Sequence, residues 1–309
     1  MHLIVGGSGF IARHLAVDLA AAEKSVLLLS RSKPTWLEIM APPLPIRWRY
    51  WDTKFKNWME LLEGVETIYY HAWSSLPATA NDNPSADWML NVQPLIELLK
   101  ALVDWPGQRP RLVFTSSGGS VYGRPQALPL HEDHPLHPLT AYGAGKVSAE
   151  AYISFYRDFY GLDCRVARIA NPYGPYQDSR KGQGAVASFF AAARESRPID
   201  VWGEGGVIRD FIHVSDVSRA LKLLGTADIC CHHIFNIGSG VGLSILELAK
   251  AIEHIVGTQL NLVHHPARHF DVQENILSIE RAKAHLAWQP TIPLSSGLGD
   301  YYKYLLRNC

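Results

Sequence analysis

Tyr142 and Lys146 stand four residues apart in the run Tyr142-Gly143-Ala144-Gly145-Lys146, at the head of a segment whose helical patterning continues to Tyr160. On a helix that spacing puts both side chains on one face, where an ammonium favours the phenolate and draws a tyrosine pKa down from about 10 towards neutral pH. Tyr142 then becomes an acid/base for a substrate hydroxyl. Ordinary helix packing produces the same pair, so its meaning depends on its company. Two features supply it: the hydroxyl-rich stretch Thr115-Ser116-Ser117-Gly118-Gly119-Ser120-Val121-Tyr122-Gly123 behind an apolar run, and a glycine motif near the N-terminus.

The glycine motif is Val5-Gly6-Gly7-Ser8-Gly9-Phe10-Ile11-Ala12. Gly6 and Gly9 permit a tight turn and close backbone approach. A dinucleotide pyrophosphate can then rest on the amides and positive end of the helix that opens at Phe10 and Ile11. Ala12 takes the third glycine position and is small enough for close packing of helix on strand. A domain of this kind carries Asp or Glu after its second strand when it binds a ribose 2′-hydroxyl. Here the chain reads Leu29-Ser30-Arg31-Ser32-Lys33. Arg31 can pair with a 2′-phosphate and Ser30 or Ser32 can add a hydrogen bond, which tilts an NAD(P) site towards NADP. A solvated loop cation is the other reading of Arg31. Asp52, after the third strand, is placed either to accept from an adenine amino group or to form a turn.

These residues need a scaffold. Up to residue 170, short β-branched or apolar runs alternate with longer helical patterns, the signature of an α/β fold with a Rossmann-type doubly wound parallel sheet. Strands are predicted at residues 2–5, 25–30, 46–51, 67–71, 111–116 and 164–169. In the first helix Ile11, Leu15 and Leu19 recur beside Ala12, Ala16 and Ala20. Beyond Asn171-Pro172 come Gly-rich stretches at 181–184 and 203–206 and a Pro-containing segment at 266–293. Residues 171–309 therefore read as a smaller, substrate-binding region, with a return to the first sheet around 207–237. Trp48, Tyr50, Trp51 and the other tryptophans read as packing.

A chain of 309 residues, 47% hydrophobic and 19% charged, suffices for a full globular core. Its 29 Lys and Arg balance 29 Asp and Glu, leaving no positive surplus to hold a nucleic-acid backbone or an anionic membrane. Cys164, Cys230, Cys231 and Cys309 form no CxxC spacing, and His232-His233 and His264-His265 no HExxH spacing, so no metal site is expected. The start of the chain lacks the pattern of an export signal, and no apolar run reaches the roughly 18–20 residues of a membrane span. A cytoplasmic protein is expected.

On the glycine motif, the block ending Val121-Tyr122-Gly123 and the Tyr142/Lys146 pair, the chain resembles the extended short-chain dehydrogenase/reductase family. Within it the likeness is to the NAD-dependent epimerase/dehydratase branch, which acts on nucleotide sugars. The resemblance covers nearly the whole chain. It includes Arg168-Ile169-Ala170-Asn171-Pro172-Tyr173-Gly174-Pro175 and residues 203–214, which end in Arg209-Asp210-Phe211-Ile212-His213-Val214. These two blocks look most like UDP-glucose 4-epimerases. The resemblance implies that Asn171, Arg209 and Arg268 contact a nucleotide diphosphate, which suits forked cations and amide donors. It also implies Trp202 beside the base, Asn91 near the cofactor, Pro172 at the nicotinamide and Lys146 on its ribose. A homodimer through the helices over 95–103 and 147–160, and a place in supplying polysaccharide sugars, follow from the same likeness.

One departure falls at the family's catalytic Ser/Thr position, which is Gly118 here. If strand alternation persists, Ser120 shares that face and is favoured; Ser117 is the adjacent hydroxyl and can enter through a backbone twist. The Asp-Glu pair that 4,6-dehydratases carry between that position and the VYG block is Gly119-Ser120 in this chain. Water elimination then lacks its acid and base. The expected activity is 4-epimerisation of a UDP-hexose, by transient oxidation at C4 to a 4-keto sugar and re-reduction on the other face. The same residues suit an NADPH-dependent reductase of a nucleotide 4-keto-6-deoxy sugar. A catalytically idle, nucleotide-binding regulatory protein is the reading of another class, since fold does not guarantee activity.

Overall fold

The structure is a computed structural model and describes residues 1–39, 44–55, 57–77, 79–181, 184–228, 232–267 and 272–307. From the N-terminus come β1 (His2–Val5), α1 (Phe10–Ala21), β2 (Val26–Ser30), α2 (Trp36–Ile39), β3 (Ile46–Tyr50) and α3 (Met59–Leu62). They are followed by β4 (Thr67–Tyr70), α4 (Pro84–Asp104), β5 (Arg111–Ser117), α5 (Ala141–Tyr160) and β6 (Cys164–Ile169). Every strand predicted from patterning is present, with bounds moved by no more than one residue. The chain continues through β7 (Asn171–Tyr173), α6 (Ala185–Glu195), β8 (Ile199–Trp202), β9 (Ile208–His213), α7 (Val214–Thr226) and β10 (Ile234–Ile237). It ends with β11 (Gly242–Ser244), α8 (Ile245–Val256), β12 (Leu262–His265), β13 (Glu274–Asn275), α9 (Glu280–Leu286) and α10 (Leu294–Arg307).

The main sheet has seven strands in the spatial order β10-β6-β5-β4-β1-β2-β3. β1 pairs in parallel with β2 on one side and β4 on the other. From β1 the chain moves outward through β2 and β3, and from β4 it moves the opposite way through β5 and β6. This is the Rossmann-type doubly wound sheet, and its topological switch lies between β1 and β4, where open α/β sheets bind ligands outside the strand C-termini. Gly6 and His71 are the first residues beyond those two ends.

Burial follows from the patterning. Leu3, Ile4 and Val5 are wholly buried, and α1 lays Ala12, Leu15, Ala16, Leu19 and Ala20 against the sheet, the alanines allowing a close approach. Tyr50 departs from its expected packing role: it is 57% exposed, because β3 is the edge strand. On α4 the leucines 95, 98, 99 and 102 are spent in the protein's own core, so that stretch is not the open face the resemblance implied.

The chain forms two compact units. The first comprises Met1–Val121, Pro138–Arg168 and Ser218–Phe235, and the second Tyr122–His137, Ile169–Val217 and Asn236–Cys309. Residues 122–137 pack in the second unit although they precede α5. Leu130 N donates to Ile276 O (2.7 Å), Leu130 O accepts from Ser278 N (2.8 Å), and Tyr122 Oη donates to Asn236 Oδ1 (2.6 Å). In this unit β9 is flanked by β11 and β13 and also pairs with β7, while β8 and β12 form a separate ribbon. Its core gathers Tyr173, Phe189, Phe190, Leu248, Ile252 and Tyr301. No helix of the described residues is long and apolar enough to cross a membrane.

Candidate active site

At the switch point the backbone after β1 turns at Gly6 with φ +88°, and a Cβ there would stand 2.7 Å from Ala72 N. Conformation and close approach both demand glycine. Gly6 N and Gly7 N donate to Leu29 O at 2.9 Å each, and Gly9 N to Gly6 O at 3.0 Å, which fixes the turn. Gly9 caps α1 without a side chain, and the first turn holds no acidic residue. The amides at Phe10, Ile11 and Ala12 thus meet no side-chain acceptor, and with the positive helix end they make a cradle for a pyrophosphate. Beside it His71 Nδ1 meets Thr115 Oγ1 at 2.6 Å, while His71 Nε2 is buried with no partner. These residues fit a dinucleotide.

The other cofactor candidates divide. Ser30 is buried and its hydroxyl donates to Ser32 O (2.8 Å) and accepts from Trp48 Nε1 (2.9 Å), so its proton is already committed. Arg31 is exposed just beyond it. Asp52 accepts from Tyr50 Oη (2.8 Å) and Lys54 N (2.9 Å), and these bonds, Tyr50's foremost, hold its carboxyl below the usual range. Asn91 is an internal clamp. Its Oδ1 accepts from Ser74 N (2.7 Å) and its Nδ2 donates to Asp87 Oδ1 (2.9 Å), tying the segment after β4 to α4.

Thr140 caps α5 by accepting from Gly143 N (3.1 Å), so Tyr142 sits in the first turn, where the helix dipole favours a phenolate. The hydroxyl that bears on Tyr142 and lowers its pKa is that of Ser117, not Ser120. β5 ends at Ser117 and residues 118–120 form a turn, with Ser120 N donating to Ser117 O (3.2 Å). The alternation that favoured Ser120 stops too soon, and the carbonyl of Ser120 instead presses on α5, where a Cβ at Gly143 would lie 2.5 Å from it.

The spacing of Tyr142 and Lys146 predicts a lowered tyrosine pKa, and the structure corrects this. Burial pushes Tyr142 up to about 12, the charge of Asp87 adds to the rise, and only the Ser117 hydrogen bond opposes it. Burial likewise pushes Lys146 down to about 7, against Glu150 and Asp87. The ammonium is turned aside: Nζ donates to Thr115 O (2.8 Å) and lies 3.7 Å from the centre of the Trp73 ring but 5.7 Å from that of Tyr142. One turn further along α5, Glu150 takes Arg168 Nη2 (2.7 Å) and Nε (3.1 Å) and the Ser116 hydroxyl, a buried network that fastens α5 to β5 and β6.

The second unit contains a cavity of about 210 Å³ lined by Asn171, Pro172, Tyr173, Gln177, Arg209 and Phe211, with the start of α6 at its wall. Gly184 caps α6 at φ +96° with no side-chain hydrogen bond and no acid in the first turn. Arg209 Nη1 donates to Ile208 O (2.9 Å) and Val272 O (2.7 Å), which fixes the guanidinium, and Asn171 Nδ2 donates to Asp210 O (2.9 Å). Gln177 Oε1 is buried without a partner. A cation and a positive helix end facing one cavity suit an anion such as a diphosphate. Trp202 is not among the lining residues; it ends β8, 36% exposed, stacked on His265. Arg268 lies outside the described residues.

The sequence profile of the NAD dependent epimerase/dehydratase family matches residues 2–238. This chain belongs to that family. It is 38% identical over 239 residues to a UDP-glucose 4-epimerase of Mycolicibacterium smegmatis, covering 77% of this chain and 75% of that one. It is 30% identical over 313 residues to a dTDP-4-dehydro-6-deoxyglucose reductase of Escherichia coli, covering 97% and 96%. A crystal structure of UDP-glucose 4-epimerase with UDP-glucose, from the hyperthermophilic eubacterium Thermotoga maritima, matches with a TM-score of 0.90 and 29% identity over 99% of each chain.

In this epimerase/dehydratase the first unit brings together Gly6, Gly9, Ser117, Tyr142 and Lys146, and the second brings together Asn171, Pro172 and Arg209. Sequence reasoning missed Trp73 and Asp87 beside Lys146, and Gln177 and the start of α6 in the cavity. A tryptophan directly after the switch-point strand was the available signal for the first, and a glycine opening a helix without acids for the last.

Proposed function

We propose that this family member is a UDP-hexose 4-epimerase. The observation that carries the reading is Tyr142, with the Ser117 hydroxyl as its neighbour and Lys146 one helical turn along α5, at the switch point beside the glycine cradle. Tyr142 takes the proton of the C4 hydroxyl as C4 loses hydride, and Ser117 holds the oxygen as it passes from alcohol to ketone. The Gly6–Ala12 cradle would hold NAD(P), which when bound would supply the hydride acceptor and donor for C4. Return to the opposite face inverts C4, and Tyr142 gives the proton back, so the cycle closes without net oxidation. In this reading the first unit, with its return at 218–235 rather than from 207 because β9 pairs in the other sheet, serves the dinucleotide, and the second unit, which takes in 122–137, serves the nucleotide sugar. Arg209, Asn171 and the start of α6 hold the diphosphate, with Arg268 adding a cation and Trp202 a face for the base.

Arg209→Ala is expected to weaken UDP binding by roughly 10–100-fold, the loss of a charge-assisted hydrogen bond or two. Calorimetric titration with UDP checks it, and unchanged affinity would remove Arg209 from the substrate.

The pH dependence has a sign. Phenol with amine, and phenolate with ammonium, contain the same number of protons, so Tyr142 and Lys146 titrate as a pair. The reactive form belongs to the state that has lost one proton, and that loss sits at about 7 on Lys146. The kcat/KM for inversion should therefore rise through pH 7; a profile flat from pH 5 to 9 contradicts the assignment.

A second reading, reduction of a nucleotide 4-keto-6-deoxy sugar by NADPH, is favoured by exposed Arg31 and by the E. coli reductase relative. Mass spectrometry of nucleotide released on heating the purified protein separates the two. Stoichiometric retained NAD or NADP supports the epimerase, and its identity tests the lean towards NADP from Arg31. An empty protein that binds NADPH reversibly supports the reductase. The reading also carries a homodimer and a cytoplasmic setting. Its dimer face is the aromatic cluster of α5, where Phe155 stacks on Phe159 at 5.6 Å and Phe159 is 72% exposed.

A further inference from the structure

Two side chains with no part in that reaction close on the acid/base pair, Trp73 in contact with it and Asp87 as a nearby buried charge. Trp73, just beyond β4, places its ring 3.7 Å from Lys146 Nζ and edge-on to Tyr142, with ring centres 5.9 Å apart. Phe114 offers a second ring 4.8 Å from the same nitrogen. Asp87, on α4 and 5% exposed, is fixed through Oδ1 by Asn91 Nδ2 (2.9 Å). Both close on α5 at Gly145, where a Cβ would stand 3.1 Å from the Trp73 ring and 3.3 Å from Asp87 Oδ2. Glycine directly before Lys146 lets both approach α5 this closely without shifting.

We propose that Trp73 and Asp87 form a cage that keeps the Lys146 ammonium charged inside the buried site, and so act as positioning residues for the Tyr142–Lys146 pair. Three ammonium protons need partners, and Thr115 O supplies one. Aromatic faces attract a cation more strongly once water is removed, and a buried carboxylate favours the charged form. The other ionisable groups facing the lysine do not replace this cage. His71 on the β4 side is driven to about 3 by burial and then by Lys146, and stays neutral. Glu150 on α5 also favours the ammonium, ahead of Asp87, but its carboxylate is held by Arg168 from β6, one helical turn beyond the lysine, and Tyr142 is the group to be served. The inference rests on reading Tyr142 and Lys146 as the acid/base pair.

The test uses protein labelled with ¹⁵N at lysine Nζ, titrated by NMR without substrate, in wild type, Trp73→Leu, Trp73→Phe and Asp87→Asn. The Lys146 midpoint should fall by about one pH unit in Trp73→Leu and in Asp87→Asn, and by less in Trp73→Phe, which keeps an aromatic face. In sugar turnover the acid limb should move down equally. Trp73→Leu should also lose about tenfold at the plateau, since phenolate with ammonium becomes rarer by that factor. Lys146 titrating at the wild-type pH in folded Asp87→Asn and Trp73→Phe overturns the cage; if Trp73→Leu does not fold, those two variants decide. A wild type that inverts no sugar counts against the proposed reaction, whereas the NMR titration still decides the cage.

Discussion

Tyr142→Phe should lower kcat for C4 inversion by about 10²- to 10⁴-fold, the scale of removing a positioned general acid/base. No neighbour can take over the proton. Ser117 is an ordinary alcohol, His71 is held neutral with its Nδ1 on Thr115, and Lys146 points at Thr115 O and the Trp73 ring. The variant should keep its fold, because the lost hydroxyl faces one serine, and should bind UDP as before, because the cavity around Arg209 belongs to the second unit. Stopped-time assays of sugar inversion beside UDP titration check both halves. More than a tenth of wild-type turnover would remove Tyr142 from the reaction.

The second large effect concerns stability. Arg168→Ala should cost about 3–5 kcal/mol, because it leaves the Glu150 carboxylate buried without its cation, and charges stripped of their partner cost that much. Both side chains are almost fully enclosed, at 3% and 4% exposure. Such a loss is a large fraction of the roughly 5–15 kcal/mol that holds a domain folded. Urea unfolding of the cofactor-free protein measures it. Arg168→Met with Glu150→Leu should recover most of the loss, since apolar side chains of similar volume replace buried ion pairs at little cost. A loss below about 1 kcal/mol in the single variant would show that water reaches Glu150, against the burial described.

What could be read from the chain alone depended on whether the cause was local. β1, α1 and β2 were legible because a buried parallel strand and an amphipathic helix impose period and composition on their own residues. The cradle at Gly6 and the pair on α5 were legible because sequence spacing fixes their geometry. Sequence alternation favours Ser120, whereas the hydroxyl beside Tyr142 is that of Ser117, because β5 stops there and residues 118–120 turn. The spacing of Tyr142 and Lys146 gives the wrong direction for the tyrosine pKa because it shows charge proximity and not burial, which dominates at Tyr142. Trp73 and Asp87 escaped because their meeting with Lys146 is made by the packing of α4 on α5 and by a missing side chain at Gly145. Asn171 and Arg209 came through resemblance, and their structural reason, a cavity facing the start of α6, appears only in three dimensions.

The most direct test of the central claim is proton NMR of UDP-glucose incubated with the purified protein and no added cofactor, following the anomeric signal. The account predicts that a second anomeric signal, that of the C4-inverted sugar, grows to a fixed ratio, and that the same ratio is reached from the inverted sugar. The absence of inversion even with added NAD, together with consumption of NADPH when a nucleotide 4-keto sugar is supplied, would contradict it.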